Sequence, residues 1–382
     1  MHLTSGNHMN IRLSRSIVGE AEAQAVRRVL IENGYLGMGM EVRLFEEELA
    51  AYLGRAPDQV MAVNSGTAAL HLAVQAVVEP GCEVLVPSLT FVASFQAVSA
   101  AGCAPVACDV REDSATIDLK DAETRITPRT RAIMPVHYAS NPAGLDACYD
   151  FARKHKLRVI EDAAHAFGCR HKGRRIGSFG DIVCFSFDGI KNITCGEGGC
   201  IVTTDPEAAR RCRDARLLAV QNDTQARYAG ARSWDFDVSD QGYRYHMSNI
   251  MAAIGRVQLR RLENEFAPQR VRLAALYREG LADHPDLVFF QSEPEADIIP
   301  HIMPVRVLHG RRDALQAALA ETGIPTGMHY KPNHLLSRYG GGQPSLPVTE
   351  RLYRELMTLP LHPGLSEGEV EQICAALRKA LE

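Results

Sequence analysis

A lysine between an apolar segment and a glycine-rich turn is the residue of this chain best suited to covalent chemistry. Lys191 follows the mostly apolar residues 184–187 and precedes the turn at residues 196–199. This pattern places Lys191 at a strand end rather than on the solvated face of a helix. A partly desolvated site lowers the pKa of a lysine far enough for its amine to form a Schiff base. A surface lysine beside a hairpin is the alternative, and the rest of the chain decides between the two.

A second candidate group is an anion site at the N-terminus of a helix. Residues 60–63 have the pattern of a buried strand, which runs into Ser65, Gly66 and Thr67, and the strongly helical residues 68–78 follow. Free backbone N–H groups and the helix dipole at such a point favour an anion, particularly phosphate. The alternative is that Ser65 or Thr67 only caps the helix.

A carboxylate at the end of another strand is the third candidate. Asp162 ends the strand pattern at residues 158–162 and begins the sequence Asp-Ala-Ala-His. A carboxylate in an apolar setting needs a positive partner, because an unpaired buried charge is costly. A protonated heterocycle is one candidate partner, and an aspartate that caps the following turn is the alternative. His165 alone is weaker, since a lone histidine is more often a packing residue.

The composition indicates a globular enzyme that acts on small molecules. The 382 residues carry a net charge of -4 with a pI near 6.4, which gives no basic surface for nucleic acid. Ten scattered cysteines without paired CxxC spacing argue against a zinc site or a disulfide framework, so we predict no metal and a cytoplasmic location. Residues 84–108 carry no charge, but Pro87 and Pro105 interrupt them, and no membrane span is predicted. Residues 1–8 are either native or a cloning remnant.

Strands and helices alternate from residue 60 to residue 204, which predicts an α/β protein with a mainly parallel sheet covered on both faces. Sites in such sheets form at the carboxyl ends of the strands. A long helix predicted over residues 248–277 bridges to a smaller domain. Residues 220–239, which contain the only tryptophan, Trp234, predict a long polar loop. The predicted units are an N-terminal segment at 1–40, a large domain at 41–255 and a small domain at 256–382.

The residues around these three sites resemble the DegT/DnrJ/EryC1/StrS group of fold-type I sugar aminotransferases, from about Glu20 to the C-terminus. The motifs that follow the family pattern in order are Ser65-Gly66-Thr67, Pro87-Ser88-Leu89-Thr90-Phe91, Asp162-Ala163-Ala164-His165, Ser186-Phe187, Lys191-Asn192, Gly196-Glu197-Gly198-Gly199 and His329-Tyr330-Lys331-Pro332. The resemblance implies pyridoxal 5'-phosphate (PLP) as the cofactor. It also implies a large domain with a seven-stranded type of sheet and a smaller C-terminal α/β domain.

The resemblance implies a role for each motif residue. Lys191 would carry PLP as a Schiff base and move the proton during the reaction, Asp162 would pair with the pyridinium nitrogen, and Phe91 would stack on the ring. The further contacts that it implies are Gly66, Thr67 and Ser186 at the phosphate, His165 near the phenolic oxygen, and His329, Tyr330 and Lys331 at the substrate.

The sequence departs from the family pattern in the segment that a neighbouring subunit donates. This chain has Arg244 and His246 where relatives commonly have asparagine and arginine. Arg244 would still reach the phosphate as a charged donor. The resemblance therefore implies a homodimer with shared active sites.

The resemblance implies glutamate as the amino donor and a nucleotide-linked 4-keto sugar as the acceptor, in the biosynthesis of lipopolysaccharide or another glycan precursor. Residues 135–139 and 190–195 look most like the subgroup that makes UDP-4-amino-4-deoxy-L-arabinose. The polar loop at 220–239 is expected to give room for the ligand, with Arg232 or Lys331 meeting its diphosphate. Amination at carbon 3 and a cofactor-binding regulator without amination stay open, whereas Lys191 argues against a dehydratase.

Overall fold

The computed structural model describes residues 11–220, 223–231, 236–238, 240–341 and 345–382. Residues 1–8, Arg232 and Trp234, on which sequence predictions fall, lie outside the described residues. Within those ranges, the α-helices are α1 (Glu20–Arg28), α2 (Met40–Leu53), α3 (Gly66–Val77), α4 (Val92–Ala100), α5 (Leu119–Thr124), α6 (Leu145–His155), α7 (Pro206–Ala215), α8 (Asp223–Tyr228), α9 (Asn249–Arg261), α10 (Ala267–Leu281), α11 (Arg312–Glu321), α12 (Pro347–Glu355) and α13 (Glu367–Leu381). The strands there are β1 (Val60–Val63), β2 (Glu83–Pro87), β3 (Ala104–Cys108), β4 (Thr130–Ile133), β5 (Arg158–Asp162), β6 (Arg170–His171), β7 (Arg174–Arg175), β8 (Ile182–Ser186), β9 (Gly199–Thr203), β10 (Leu287–Phe289), β11 (Ala296–Asp297), β12 (Met303–Val307) and β13 (Leu356–Leu359).

The main sheet has seven strands in the order β1-β9-β8-β5-β4-β2-β3. The pairs β8-β5, β5-β4, β4-β2 and β2-β3 are parallel, while β9 runs antiparallel to both of its neighbours. Every residue of β1, β2, β5 after its first position, β8 and β9 is buried, as expected for a sheet covered on both faces. The predicted mainly parallel sheet is confirmed.

Strands β8 and β9 form the antiparallel hairpin that presents the candidate lysine. Their register pairs Ser186 with Gly199, so residues 187–198 form the connection and Lys191 lies within it. The glycine-rich turn therefore does serve a hairpin, which was the simpler explanation of its composition. That hairpin also brings Lys191 to the edge of the sheet where β5 ends.

The C-terminal part of the chain has its own antiparallel sheet, in the order β10-β12-β13. Its apolar core contains residues of α10, α11 and α13. The helix predicted over 248–277 is seen as α9 and α10, joined by one π-helical turn at Leu262–Phe266. The sequence predicted β12, α11 and α13 but missed β10 and β13. The predicted domain limits stay a prediction.

The expectation of an irregular loop is wrong for residues 223–228, which form α8. The helix delivers Tyr228 to a buried ion pair between Arg216 and Glu46. The Tyr228 hydroxyl donates to Glu46 and accepts a hydrogen bond from Arg216 Nη2 at 2.9 Å. Because a buried ion pair is stable only when its remaining polar atoms are satisfied, this contact favours order where polarity alone suggested a loop.

No helix in the described part of the chain is both long and apolar enough to cross a membrane.

Candidate active site

A cavity of about 390 Å³ lies where the carboxyl end of β5, the β8–β9 connection and the N-terminus of α3 meet. The predicted site residues that line it are Gly66, Thr67, Phe91, Asp162, His165, Ser186, Lys191, His329 and Tyr330. Arg244 and Lys331 are exposed and do not line it. A larger cavity of about 550 Å³, next to α5 and α6, contains none of the predicted site residues.

The N-terminus of α3 is both capped and closely packed. Ser65 Oγ accepts a hydrogen bond from the Ala68 N–H at 3.1 Å, which confirms that Ser65 is a cap. The cap satisfies one of the free N–H groups of the first turn and leaves others for an external acceptor. A Cβ on Gly66 would lie 2.7 Å from Ser186 Cβ, so glycine allows the helix to approach Ser186 this closely.

Gly199 performs a similar task one layer below. A Cβ at this position would lie 2.7 Å from the carbonyl oxygens of Ser65 and Phe185, and 2.8 Å from the Gly66 nitrogen. The absence of a side chain therefore lets β9 pass directly beneath the start of α3. The glycines at the two positions bring the helix N-terminus and Ser186 together, as a phosphate cradle requires.

Asp162 has only neutral hydrogen-bond donors within the described residues. The side chain is 5% exposed, and its Oδ2 accepts a hydrogen bond from Ser94 Oγ at 2.7 Å. Its Oδ1 accepts from the Ala164 N–H at 3.2 Å, so the aspartate also caps the following turn. No lysine, arginine or histidine of the described residues forms a salt bridge with it. A buried carboxylate without a cation is suited to a cationic ligand such as a pyridinium.

Lys191 has the lowered basicity that a Schiff-base lysine needs. Burial lowers its pKa to about 8, although the carboxylates of Asp188 and Asp162 favour the charged form, and the guanidinium of Arg270 lowers the pKa further. Its Nζ lies 3.3 Å from His301 Nε2. The desolvated environment that the sequence predicted for this lysine is therefore present.

Three histidines surround Lys191, and all of them are held neutral. Burial and the nearby Lys191 lower the pKa of His329 to about 4 and hold those of His165 and His301 well below the usual value. His165 Nε2 is 3.0 Å from the Tyr330 hydroxyl. The Nδ1 atoms of His165 and His301 are buried and have no hydrogen-bond partner among the described residues. This unused hydrogen-bonding capacity fits a polar aromatic ligand.

The aromatic side chain predicted to stack on the cofactor is open to it. Phe91 is 54% exposed, which is unusual for a residue at the start of a buried helix. Its ring lies 5.5 Å from that of Tyr330, which lines the same cavity. One face of Phe91 is thus available for a planar ring.

Sequence reasoning missed residues that reach the site only through the fold. Ser94 holds Asp162, His301 contacts Lys191, and Arg270 lies behind both strands of this arrangement. No motif surrounds His301 or Arg270, and Ser94 lies in an ordinary helical pattern. Only the spacing of Ser94, four residues after Thr90, offered a signal, because these two hydroxyls are hydrogen-bonded at 2.9 Å.

These features define an α/β enzyme whose site suits a phosphorylated aromatic cofactor held through a lysine. The description of the DegT/DnrJ/EryC1/StrS aminotransferase family matches residues 16–378. The chain is 36% identical over 378 residues to the dTDP-4-dehydro-2,3,6-trideoxy-D-glucose 4-aminotransferase of Saccharopolyspora spinosa, covering 97% of each. The aminotransferase TlmJ of Streptoalloteichus hindustanus superposes with a TM-score of 0.90 at 34% identity, covering 97% of this chain and 98% of TlmJ. The sugar aminotransferase Spr1654 of Streptococcus pneumoniae, solved in a PLP form, gives a TM-score of 0.89 at 28% identity, covering 98% and 100%.

The chain belongs to the DegT/DnrJ/EryC1/StrS aminotransferase family. This confirms the predicted family, the fold-type I architecture, the assignment as an aminotransferase and PLP as the cofactor. The finer resemblance to the UDP-4-amino-4-deoxy-L-arabinose subgroup is not shown, since the curated relative is a dTDP-sugar enzyme. The roles of the individual site residues stay predictions.

Proposed function

We propose that this protein is a PLP-dependent aminotransferase that transfers an amino group from glutamate to carbon 4 of a nucleotide-linked keto sugar. The observation that carries the proposal is the convergence of Lys191 and Asp162 in one cavity, with the pKa of the lysine lowered to about 8 and the carboxylate without a cationic partner in the described chain. The name of the S. spinosa relative supports carbon 4 and a nucleotide sugar.

PLP supplies an electrophilic carbonyl and a ring that accepts electrons. The Nζ of Lys191 holds the cofactor and, when released, moves the proton at the reacting carbon. Asp162 keeps a proton on the ring nitrogen, while the Ser94 hydroxyl and the Ala164 N–H fix its carboxylate. The N-terminus of α3 and Ser186 bind the phosphate.

The charges that line the cavity support a shared site in a homodimer. Asp162, Asp188 and Glu197 line it, and Lys191 is the only lysine or arginine among the lining residues that the structure describes. A phosphate and the carboxylates of glutamate need more positive charge than this chain provides. Arg244 is exposed at the surface and is the residue proposed to enter the neighbouring subunit's site.

Exposed apolar side chains support the same assembly. Leu36 and Met40, near the start of α2, are 46% and 48% exposed, and Phe236 and Val238 are 52% and 48% exposed. Apolar side chains concentrated on a surface are typical of a protein interface. We propose that they form part of the homodimer contact.

A mixture of two inactive variants tests the shared site. Lys191→Ala and Arg244→Ala chains, unfolded and refolded together, should regain activity because a mixed dimer has one site with both residues intact. Each variant refolded alone is the control. Absence of any gain in the mixture would place Arg244 outside the partner's site.

The acceptor is tested with a panel of dTDP- and UDP-linked 4-keto and 3-keto sugars, each offered with glutamate. Formation of 2-oxoglutarate measures turnover, and NMR of the sugar product locates the new amine. Lys191→Ala is the matched control for turnover that does not depend on the site. An amine at carbon 3 would replace carbon 4 in the proposal, and PLP retention without turnover on any sugar would favour the regulator.

Lys331 is proposed to meet the diphosphate of the substrate. It is exposed and directly follows Tyr330, which lines the cavity, so it stands at the mouth of the site. The role in glycan precursor biosynthesis, lipopolysaccharide included, and the cytoplasmic location remain proposals without a structural argument.

A further inference from the structure

Arg270 is a buried cation without a counter-ion. It lies on α10 with 1% of its surface exposed, and no carboxylate of the described residues forms a salt bridge with it. Its Nη1 donates hydrogen bonds to the carbonyl oxygens of Pro300 at 3.2 Å and His301 at 3.1 Å, and its Nη2 donates to that of Ile190 at 3.4 Å. Burying an unpaired charge costs several kcal/mol, so a chain that keeps one requires an explanation.

The carbonyl groups that Arg270 binds belong to both sides of the Lys191 contact. Ile190 directly precedes Lys191, and His301 is the residue whose Nε2 lies 3.3 Å from Lys191 Nζ. One guanidinium therefore joins the backbone of the lysine loop to the backbone of the histidine. The His301 N–H is held on its other side by Ser140 Oγ at 3.0 Å.

The charged groups around the lysine act in opposite directions. Asp162 and Asp188 favour the ammonium form of Lys191, while Arg270 disfavours it. Burial lowers the pKa of Arg270 to about 10, which leaves it charged at neutral pH. The titratable groups that its charge reaches are Lys191, His301 and His362, and none of them is an acid. The positive charge of Arg270 is thus not compensated locally.

We propose that Arg270 is a positioning residue of the active site, which fixes the Lys191 loop against His301 and whose uncompensated charge favours the uncharged amine of Lys191. The proposal rests on the role of Lys191 in the proposed function. Arg270 itself touches neither the cavity nor its ligands, since it does not line the cavity. It acts through the two backbone segments and through its field.

The protonation of Lys191 is measurable in the protein without cofactor. Competitive acetylation with acetic anhydride over a range of pH, followed by mass spectrometry of the peptide that contains Lys191, gives the midpoint at which its amine becomes reactive. The wild-type midpoint is expected near the pKa of about 8. Arg270→Met should raise it by roughly one unit, so that labelling at pH 7 falls about tenfold.

Arg270→Lys is the conservative variant, because it keeps the charge and loses the fork of donors. Its midpoint should stay close to that of the wild type, which a purely structural role of Arg270 does not predict. A folded Arg270→Met protein with an unchanged midpoint overturns the proposal. So does an equal rise in both variants, since loss of the hydrogen bonds alone would then explain it.

A second pair of variants leaves Arg270 in place and decides the question if Arg270→Met does not fold. His362 is buried and makes no side-chain hydrogen bond among the described residues. His362→Asp introduces a carboxylate within reach of Arg270 and should raise the midpoint of Lys191, whereas the matched neutral variant His362→Asn should not. Equal midpoints in these two variants contradict the proposed effect of the charge.

Failure of the proposed function would be visible separately. Borohydride reduction of the wild-type protein loaded with PLP should attach the cofactor at Lys191. Attachment at another lysine refutes the proposed function whatever the acetylation shows. Attachment at Lys191 with midpoints that do not respond to Arg270→Met refutes only the role of Arg270.

Discussion

A single methyl group at the start of α3 should weaken cofactor binding without unfolding the protein. In Gly66→Ala, the new Cβ would lie 2.7 Å from Ser186 Cβ, 3.0 Å from Ser186 Oγ and 3.2 Å from Ser186 Cα. Carbon atoms normally pack at about 3.5–4.0 Å, so the helix and the strand must separate by about 1 Å. The separation opens the cradle between the α3 N-terminus and Ser186, where we place the phosphate.

The two contributions to stability in this variant oppose each other. Overpacking of this size costs about 1–3 kcal/mol, whereas alanine is a better helix former than glycine by about 0.8–1.0 kcal/mol. The backbone of Gly66 is not in the left-handed region, so alanine adds no strain there. The free energy of unfolding should therefore fall by no more than about 2 kcal/mol. If the separation instead appears in cofactor binding, 1–3 kcal/mol corresponds to about 5–150-fold weaker affinity.

Equilibrium titration of the protein without cofactor with PLP, followed by absorbance, measures the affinity, and urea unfolding measures the stability. Gly368→Ala is the matched control, because Gly368 also lies in the first turn of a helix and its added Cβ would meet no atom within 4 Å. Ser186→Gly removes the atoms that clash. The double variant should thus bind PLP as well as Ser186→Gly alone.

The reasoning is refuted if Gly66→Ala binds PLP as tightly as the wild type and Gly368→Ala is also normal. It is equally refuted if Gly66→Ala binds weakly and the Ser186→Gly background does not remove the defect. The first result would mean that Ser186 moves away without consequence. The second would mean that the loss has another cause than the clash.

Asp162→Asn should reduce the rate of proton abstraction far more than PLP retention, since the amide cannot stabilise a protonated ring nitrogen; near-normal turnover in stopped-flow half-reactions would contradict this. Lys191→Met should change how stability depends on pH. The folded protein releases the Lys191 proton near pH 8 and the unfolded chain near 10.5, so wild-type stability should rise between these values by about 3 kcal/mol relative to Lys191→Met in urea unfolding, and parallel pH curves would exclude the lowered pKa. Ser94→Ala should cost about 1.5–3 kcal/mol of folding stability in the protein without cofactor, because its hydroxyl donates to a carboxylate. Ser99→Ala, on the same helix with a bond to a backbone carbonyl, should cost less, and an equal cost would argue against the charge-assisted bond.

The parts of the site that the sequence predicted are those whose chemistry is local. A strand followed by Ser-Gly-Thr and an apolar helix specifies a helix N-terminus, and an apolar strand ended by Asp162 specifies a strand-end carboxylate. The alternation of strands and helices then requires these ends to lie on one edge of a sheet. Their meeting with Lys191 in one cavity follows from that geometry.

The parts that it missed depend on contacts between segments distant in the chain. Arg270 is separated from Ile190 by 80 residues, and Lys191 from His301 by 110. Nothing in the neighbourhood of Arg270 distinguishes it from the exposed arginines of the same helix. The order of residues 223–228 was missed for the same reason, because the partner of Tyr228 is Glu46, 182 residues away.

The three local alternatives weighed at the start turn out to be compatible with the functional reading rather than opposed to it. Ser65 caps α3, Asp162 caps the turn after β5, and the glycines close the hairpin that carries Lys191. Each of these structural tasks fixes a backbone that a catalytic group requires: a helix start held against Ser186, a carboxylate with a fixed direction, and a loop at the sheet edge. A cap or a turn at a strand end is therefore weak evidence against a site. The informative observation is what the same residue leaves unpaired, which at Asp162 is a buried negative charge.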